Sequence, residues 1–144
     1  MNPAVSTLAD LCREAAQTWQ DGRVLAVYLY GSAARGNPRP DSDVDVALLD
    51  SQEDRISLAD EARFMDSLER ATRRPVDLRM LRDCSPSHQA HVLDHGVLIW
   101  AADSHAVERY RREFFQAYGE RLQLPPGAWK DFLVRLADKP GSVR

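Results

Sequence analysis

The chain has 144 residues, of which 44% are apolar and 28% charged, with a formal net charge of −3. This balance suits one soluble globular domain of ordinary size and argues against a broad basic surface that holds long nucleic acid. No apolar run approaches the roughly 20 residues needed to cross a bilayer, so no membrane partner is expected.

Residues 1–10 lack a basic stretch followed by an apolar core, so no secretory signal is expected and the reading is cytoplasmic. Residues 5–19 place Val5, Leu8, Leu11, Cys12, Ala15, Ala16 and Trp19 at helical spacing, ending near Asp21-Gly22. Residues 24–30 form a β-branched and aromatic run, the pattern of a buried strand, which Gly31-Ser32 ends. Residues 37–41, Asn-Pro-Arg-Pro-Asp, are built for a turn, and Asp41 reads as turn chemistry. Residues 43–49 alternate: Val44, Val46 and Leu48 fall on one strand face, Asp43, Asp45 and Ala47 on the other.

A helix is predicted over residues 56–71, with Ile56, Ala59, Ala62, Met65 and Leu68 as its inner stripe. A third strand over residues 75–81 puts Asp77 and Arg79 opposite Val76, Leu78 and Met80, the same parity as the strand before. Ser85-Pro86 opens another helix as N-cap and first residue, and Gly96 closes it. A short strand over 97–100 and a charged helix over 103–122 follow. After Pro125-Pro126-Gly127, the stripe Trp129, Phe132, Leu133, Leu136 suggests a last amphipathic helix, read as packing on the domain. The element order predicts an α/β (α+β) domain over residues 1–122, a mixed sheet of about four strands with helices on it, and an extension over 123–144.

Chemistry concentrates at Gly31, Ser32, Asp43, Asp45 and Asp77. Asp43 and Asp45, at i and i+2 on a strand, project from one face, and Asp77 shares their parity on a strand expected nearby. Carboxylates facing one another repel unless cations lie among them, and Mg²⁺ accepts a few carboxylates and fills its shell with water and phosphate oxygens. Glycine at position 31 lets a phosphate chain approach backbone N–H groups, and Ser32 adds a hydroxyl. Arg35 is a candidate charge for the same phosphates, and Arg39, Arg73, Arg74, Arg79 and Arg82 are further cations for a local nucleotide pocket.

The run GSAARGNPRPDSDVDVALL, with ten residues between Ser32 and Asp43, resembles the Gly-Ser-x-Asp-x-Asp motif of the DNA polymerase β-like nucleotidyltransferase superfamily, and in particular its minimal nucleotidyltransferase (MNT) branch. PVDLRML resembles the strand that bears the third carboxylate, and SPSHQAHVLDHGVLIW the helix-glycine-strand that closes the domain, so residues 4–118 are covered. The resemblance implies transfer of a nucleoside monophosphate from an NTP to a hydroxyl with release of pyrophosphate. It implies that Asp43 and Asp45 bind two Mg²⁺ ions, that Asp77 binds the catalytic one and lies nearest the acceptor hydroxyl, and that Gly31 and Ser32 hold the terminal phosphates. Many MNT proteins are antitoxins that transfer AMP from ATP to a tyrosine of a partner HEPN toxin, an RNase, and that is the role expected here. The alternatives are a small-molecule acceptor, as in the similar aminoglycoside nucleotidyltransferases, and a non-catalytic antitoxin that acts by binding.

Three other features are read as structural. His88, His91 and His95 lie near one helix face without a matching further ligand. Arg109, Arg111 and Arg112 are assigned to a solvated helix face. Cys12 and Cys84, far apart and without a metal or redox spacing, are read as reduced thiols.

Overall fold

The computed structural model describes residues 3–34, 42–123 and 125. Its elements are α1 (Pro3–Thr18), β1 (Val24–Tyr30), β2 (Val44–Asp50), α2 (Leu58–Thr72), β3 (Val76–Met80), a 3₁₀ turn (Leu81–Asp83), α3 (Pro86–His95), β4 (Val97–Ala101) and α4 (Ser104–Arg121). The strands form one mixed sheet in the order β3-β2-β1-β4, with β1 antiparallel to both its neighbours and β2 parallel to β3. The predicted α/β class and four-stranded sheet are therefore observed. The stretch 35–41, including Arg35, Arg39 and Asp41, and the predicted helix around Trp129 lie outside the described residues.

Strand alternation divides the apolar residues between two layers. Val27, Leu29, Val44, Val46, Leu48, Val76, Leu78 and Met80 face α1 and α2, while Ala26, Tyr28, Tyr30, Ala47, Leu49 and Leu81 face α3 and α4. Burial on both faces explains why β1 and β2 read as nearly continuous apolar runs. The aspartate face of β2 and β3 is thus the α3/α4 face, which apolar residues fill everywhere except at the Asp45 end.

Caps set the helix boundaries. Ser57 accepts from the Asp60 N–H and starts α2 two residues later than the periodicity predicts. The inner stripe of α2 is also rotated from the predicted one: Phe64, Leu68 and Thr72 are buried, while Ala59 and Ala62 are exposed. The reason is volume. Phe64 packs its ring 4.4 Å from that of Trp19, just past the end of α1, and alanine at 59 or 62 offers far less area to bury. Ser85 caps α3 through the His88 N–H with Pro86 first in the helix, as expected. Gly96 does end α3, but with φ −75° it needs no glycine conformation; a Cβ there would lie 2.5 Å from the Val92 carbonyl oxygen. Arg109 and Arg112 are exposed as predicted, whereas Arg111 is half-buried with its guanidinium over Phe115.

One buried charge went unnoticed in the sequence. Asp50, at the end of β2, is fully buried, and its Oδ2 accepts from Arg55 Nε at 2.8 Å and the Ile56 N–H at 3.0 Å. Arg82 Nε donates to the Asp50 carbonyl at 2.6 Å, and Arg55 reaches on to Asp83. Losing Asp50 would take the acceptor from the buried Ile56 N–H and the counter-charge from Arg82, whereas Arg55, 37% exposed, can turn to water. Asp50→Ala is expected to lower the unfolding free energy by about 1–3 kcal/mol, read as a shift of the urea midpoint. A loss below about 1 kcal/mol would show that the network contributes little.

Candidate active site

Register brings the candidate residues together. Asp45 stands directly across from Asp77 on parallel β3 and across from Tyr30 on antiparallel β1. Tyr30, Asp45 and Asp77 therefore form a row across three strands, neighbours about 4.8 Å apart along the hydrogen-bonding direction. Asp43 lies just before β2, two residues from Asp45, and is exposed at the mouth of the row. Asp45 and Asp77 are half-buried.

Local bonds hold this register. Val44 N–H donates to the Pro75 carbonyl at 2.9 Å, Val76 N–H donates to Glu69 Oε2 at 3.0 Å, and Arg74 Nη2 donates to the Ser42 carbonyl at 3.2 Å. The first and third tie the start of β2 to the segment leading into β3, and the second ties β3 to α2, so a slip that would turn Asp45 to the other face is opposed. They also correct part of the predicted basic pocket. Arg74 holds Ser42, Arg82 holds Asp50, and Arg73 is the left-handed C-cap of α2. Of the described cations proposed for that pocket, Arg79 alone stands in the row, with Nη2 3.5 Å from Asp77 Oδ2.

Gly31 closes the row from above. Its φ of +73° is a left-handed conformation, and a Cβ at that position would overlap Asp45 Oδ2. The turn over residues 31–34 then buries Ala33 and Ala34 in the α1/α2 layer, leaving Gly31 and Ser32 half-buried beside Asp45. The backbone of a bare glycine thus lies directly against a carboxylate at a sheet end. That is the close approach a phosphate chain needs.

Tyr30 and His88 complete the surroundings, and neither was assigned to the site from sequence. His88 Nε2 lies 3.3 Å from the Tyr30 hydroxyl, with the rings edge to face at 5.4 Å. Burial, then Asp45, then Asp77 push the Tyr30 phenol up to about 12, so it stays neutral at any physiological pH. His88 does not join the other two histidines: His91 and His95 pair their rings at 4.8 Å, and His95 Nε2 lies 3.3 Å from Asp94. The signal for Tyr30 was present, since it is the last strand residue before Gly31 and shares the aspartates' face. His88 could be placed only by the packing of α3 on β1.

The donor set suits Mg²⁺. Among the described residues no three His, Cys, Asp or Glu side chains form a ready-made cage. Mg²⁺ needs none, because it keeps several waters and takes one or two carboxylates together with substrate phosphates. The Asp77–Arg79 pair, with side chains 38% and 55% exposed, is loose enough to yield Asp77 to an ion.

Comparison with known proteins decides the family. The profile described as "Polymerase beta, Nucleotidyltransferase" matches residues 14–105, which span β1, β2 and β3 and hold the whole row. The chain belongs to this nucleotidyltransferase family. It is 47% identical over 38 residues to the spectinomycin 9-adenylyltransferase of Campylobacter jejuni; that match covers 26% of this chain and spans 15% of the length of that enzyme. The fold is similar to that in a crystal structure of a toxin–antitoxin with AMP-PNP (TM-score 0.62, 24% identity, 83% of this chain and 89% of that one). It is also similar to that in the tri-AMPylated Shewanella oneidensis HEPN toxin in complex with MNT antitoxin (TM-score 0.57, 22% identity, 83% and 87%). As a member of the family, this protein is a nucleotidyltransferase. No helix among its described residues is long and apolar enough to cross a membrane.

Proposed function

We propose that this nucleotidyltransferase transfers AMP from ATP to a hydroxyl, a tyrosine of a HEPN-type partner toxin, and so acts as its antitoxin. The observation that carries the reading is the row itself: Gly31 against Asp45, and Asp45 against Asp77, in a domain of this family. Gly31 and Ser32 receive the terminal phosphates, with Arg35 assigned to the same task. Asp43, Asp45 and Asp77 hold two Mg²⁺ ions, which when bound neutralise phosphate charge and stabilise the attacking and leaving oxygens.

The acceptor oxygen attacks the α-phosphorus of ATP, the new P–O bond forms, and the bond to pyrophosphate breaks. The acceptor proton passes to the Asp77 carboxylate, which lies at the sheet edge where the acceptor arrives. Little covalent chemistry falls to the protein; positioning and charge stabilisation lower the barrier. The fold shared with a toxin–antitoxin bound to AMP-PNP and with an MNT antitoxin supports the choice of ATP and of a toxin partner. The short match to an adenylyltransferase that acts on spectinomycin supports adenylyl transfer and favours, as a second reading, a small-molecule acceptor.

Labelled ATP and Mg²⁺ with the protein encoded beside this chain separate the readings. Label on that protein, lost in Asp43→Ala/Asp45→Ala, is the expected result. Label on an aminocyclitol instead supports the second reading. Neutralisation of the partner that survives the double substitution would show that binding alone suffices.

A further inference from the structure

Away from the active site, whose cleft of about 540 Å³ is lined by Asp77 and His88, α4 carries an aromatic stripe of its own. Tyr110, Phe114 and Tyr118 recur every four residues, and each is half-buried. Their rings stack in succession, with centroids 6.5 Å and 5.6 Å apart and planes 19° and 18° from parallel. Val107 and Phe115, on the neighbouring face of α4, fill the α3/α4 layer, and the stripe packs against the margin of that layer. Its first ring is fixed in place. Tyr110 donates to Gln89 Oε1 at 2.6 Å, and the Arg82 guanidinium lies 4.9 Å from the ring centre. Three half-buried rings held on one helix face make a seat for an apolar segment.

The end of α4 turns the chain toward that seat. Leu122 N–H donates to the Tyr118 carbonyl at 3.0 Å, and Gln123, with φ +60°, donates to the Glu120 carbonyl at 2.9 Å. A left-handed residue just past a helix end, closed by such a bond, takes the chain out of the helix direction. Pro125 and Pro126 follow and keep α4 from resuming. Gly119, in the last turn, is buried although glycine weakens a helix, so bare backbone stands where a neighbouring segment can cross closely.

We propose that the chain's own tail takes this seat: residues 128–137 run back along α4 as a helix and lay Trp129, Phe132, Leu133 and Leu136 on the three rings. The spans agree. Trp129 to Leu136 covers about 11 Å of helix, and Tyr110 to Tyr118 about 12 Å. The apolar tail residues fall at i, i+3, i+4 and i+7, one helix face, with Lys130, Asp131 and Arg135 outside it. Residues 122–127 form a connection within the roughly 2–8 residues that join neighbouring antiparallel helices. A short tether also holds the tail near the stripe at an effective concentration on the order of millimolar, which a separate molecule would have to outbid.

Hydrogen–deuterium exchange of the full chain, read peptide by peptide, tests the seat. Amides of residues 129–137 are expected to exchange at least about tenfold more slowly than in the same segment as a free peptide. Leu133→Ser, which alters the tail alone, is expected to speed exchange at residues 114–121 as well as in its own segment. Phe114→Ser is expected to speed exchange in the tail, with β1 and β2 unchanged in both variants. Should Phe114→Ser unfold the domain, Leu133→Ser decides by itself. A tail that exchanges like the free peptide would overturn the proposal. So would a slowly exchanging tail whose protection neither substitution alters, since it would then pack elsewhere. Tail protection that vanishes on dilution would give the seat to a second copy. Protection of residues 114–121 that arises only when the protein encoded beside this chain is added would give it to a partner. Either result overturns the proposal.

Discussion

Asp45→Asn is expected to lower nucleotidyl transfer by about a hundred- to a thousandfold, while the protein stays at least as stable as the parent. The two effects have one origin. Asp45 and Asp77 face each other across one strand spacing, and like charges at that distance oppose folding when no cation lies between them. Making Asp45 neutral relieves that repulsion, so the melting temperature holds or rises. On the proposed reading the same change also removes a hard anionic donor from the metal and phosphate site, and losing one such group costs about 10²–10³ in kcat. Asp77→Asn should behave alike and also release Arg79 from its pair. Transfer within tenfold of the parent in either variant would remove that carboxylate from the chemistry. A fall in melting temperature would show that its role is structural.

Gly31→Ala should abolish transfer as fully and, unlike Asp45→Asn, destabilise the protein. A residue with a Cβ at φ +73° costs about 1–2 kcal/mol in backbone conformation alone. Here the added Cβ also overlaps Asp45 Oδ2, so the carboxylate must swing away or the turn must shift. Either movement separates the Gly31 backbone from the carboxylate row. Coupling is the sharper measurement. Asp45→Ala removes the carboxylate that the new methyl group overlaps and leaves only its Cβ, 3.3 Å away, so the double variant should lose less stability than the two single changes added together. Additive losses in urea unfolding would mean that the turn and the carboxylate do not share that space.

These two residues show how much of the site was legible in one dimension. The aspartates' shared face follows from a period of two, a property of each strand alone, and Gly31 marks the end of an apolar run. Ser85-Pro86 likewise announces α3, because a cap and its helix lie within a few residues. The α2 stripe misled because Ala59 and Ala62 fit the periodicity as well as Phe64 does; packing against the distant Trp19, just past the end of α1, chose between them. Among the arginines, local sequence carried no sign that Arg74 and Arg82 would bond to carbonyls of β2 and only Arg79 would stand beside Asp77.

The sequence by itself determined the class of fold, the face each carboxylate occupies and the turn that glycine must make, since all three arise from backbone geometry within a single element. Only the tertiary structure decided that β3 lies parallel to β2 and at the sheet edge, that Asp45 therefore meets Asp77 on one side and Tyr30 on the other, and that His88 overlooks the cleft beyond them. Strand neighbours and helix docking are settled by burial and hydrogen bonding between segments tens of residues apart, and no local pattern encodes which distant surface a given face will find.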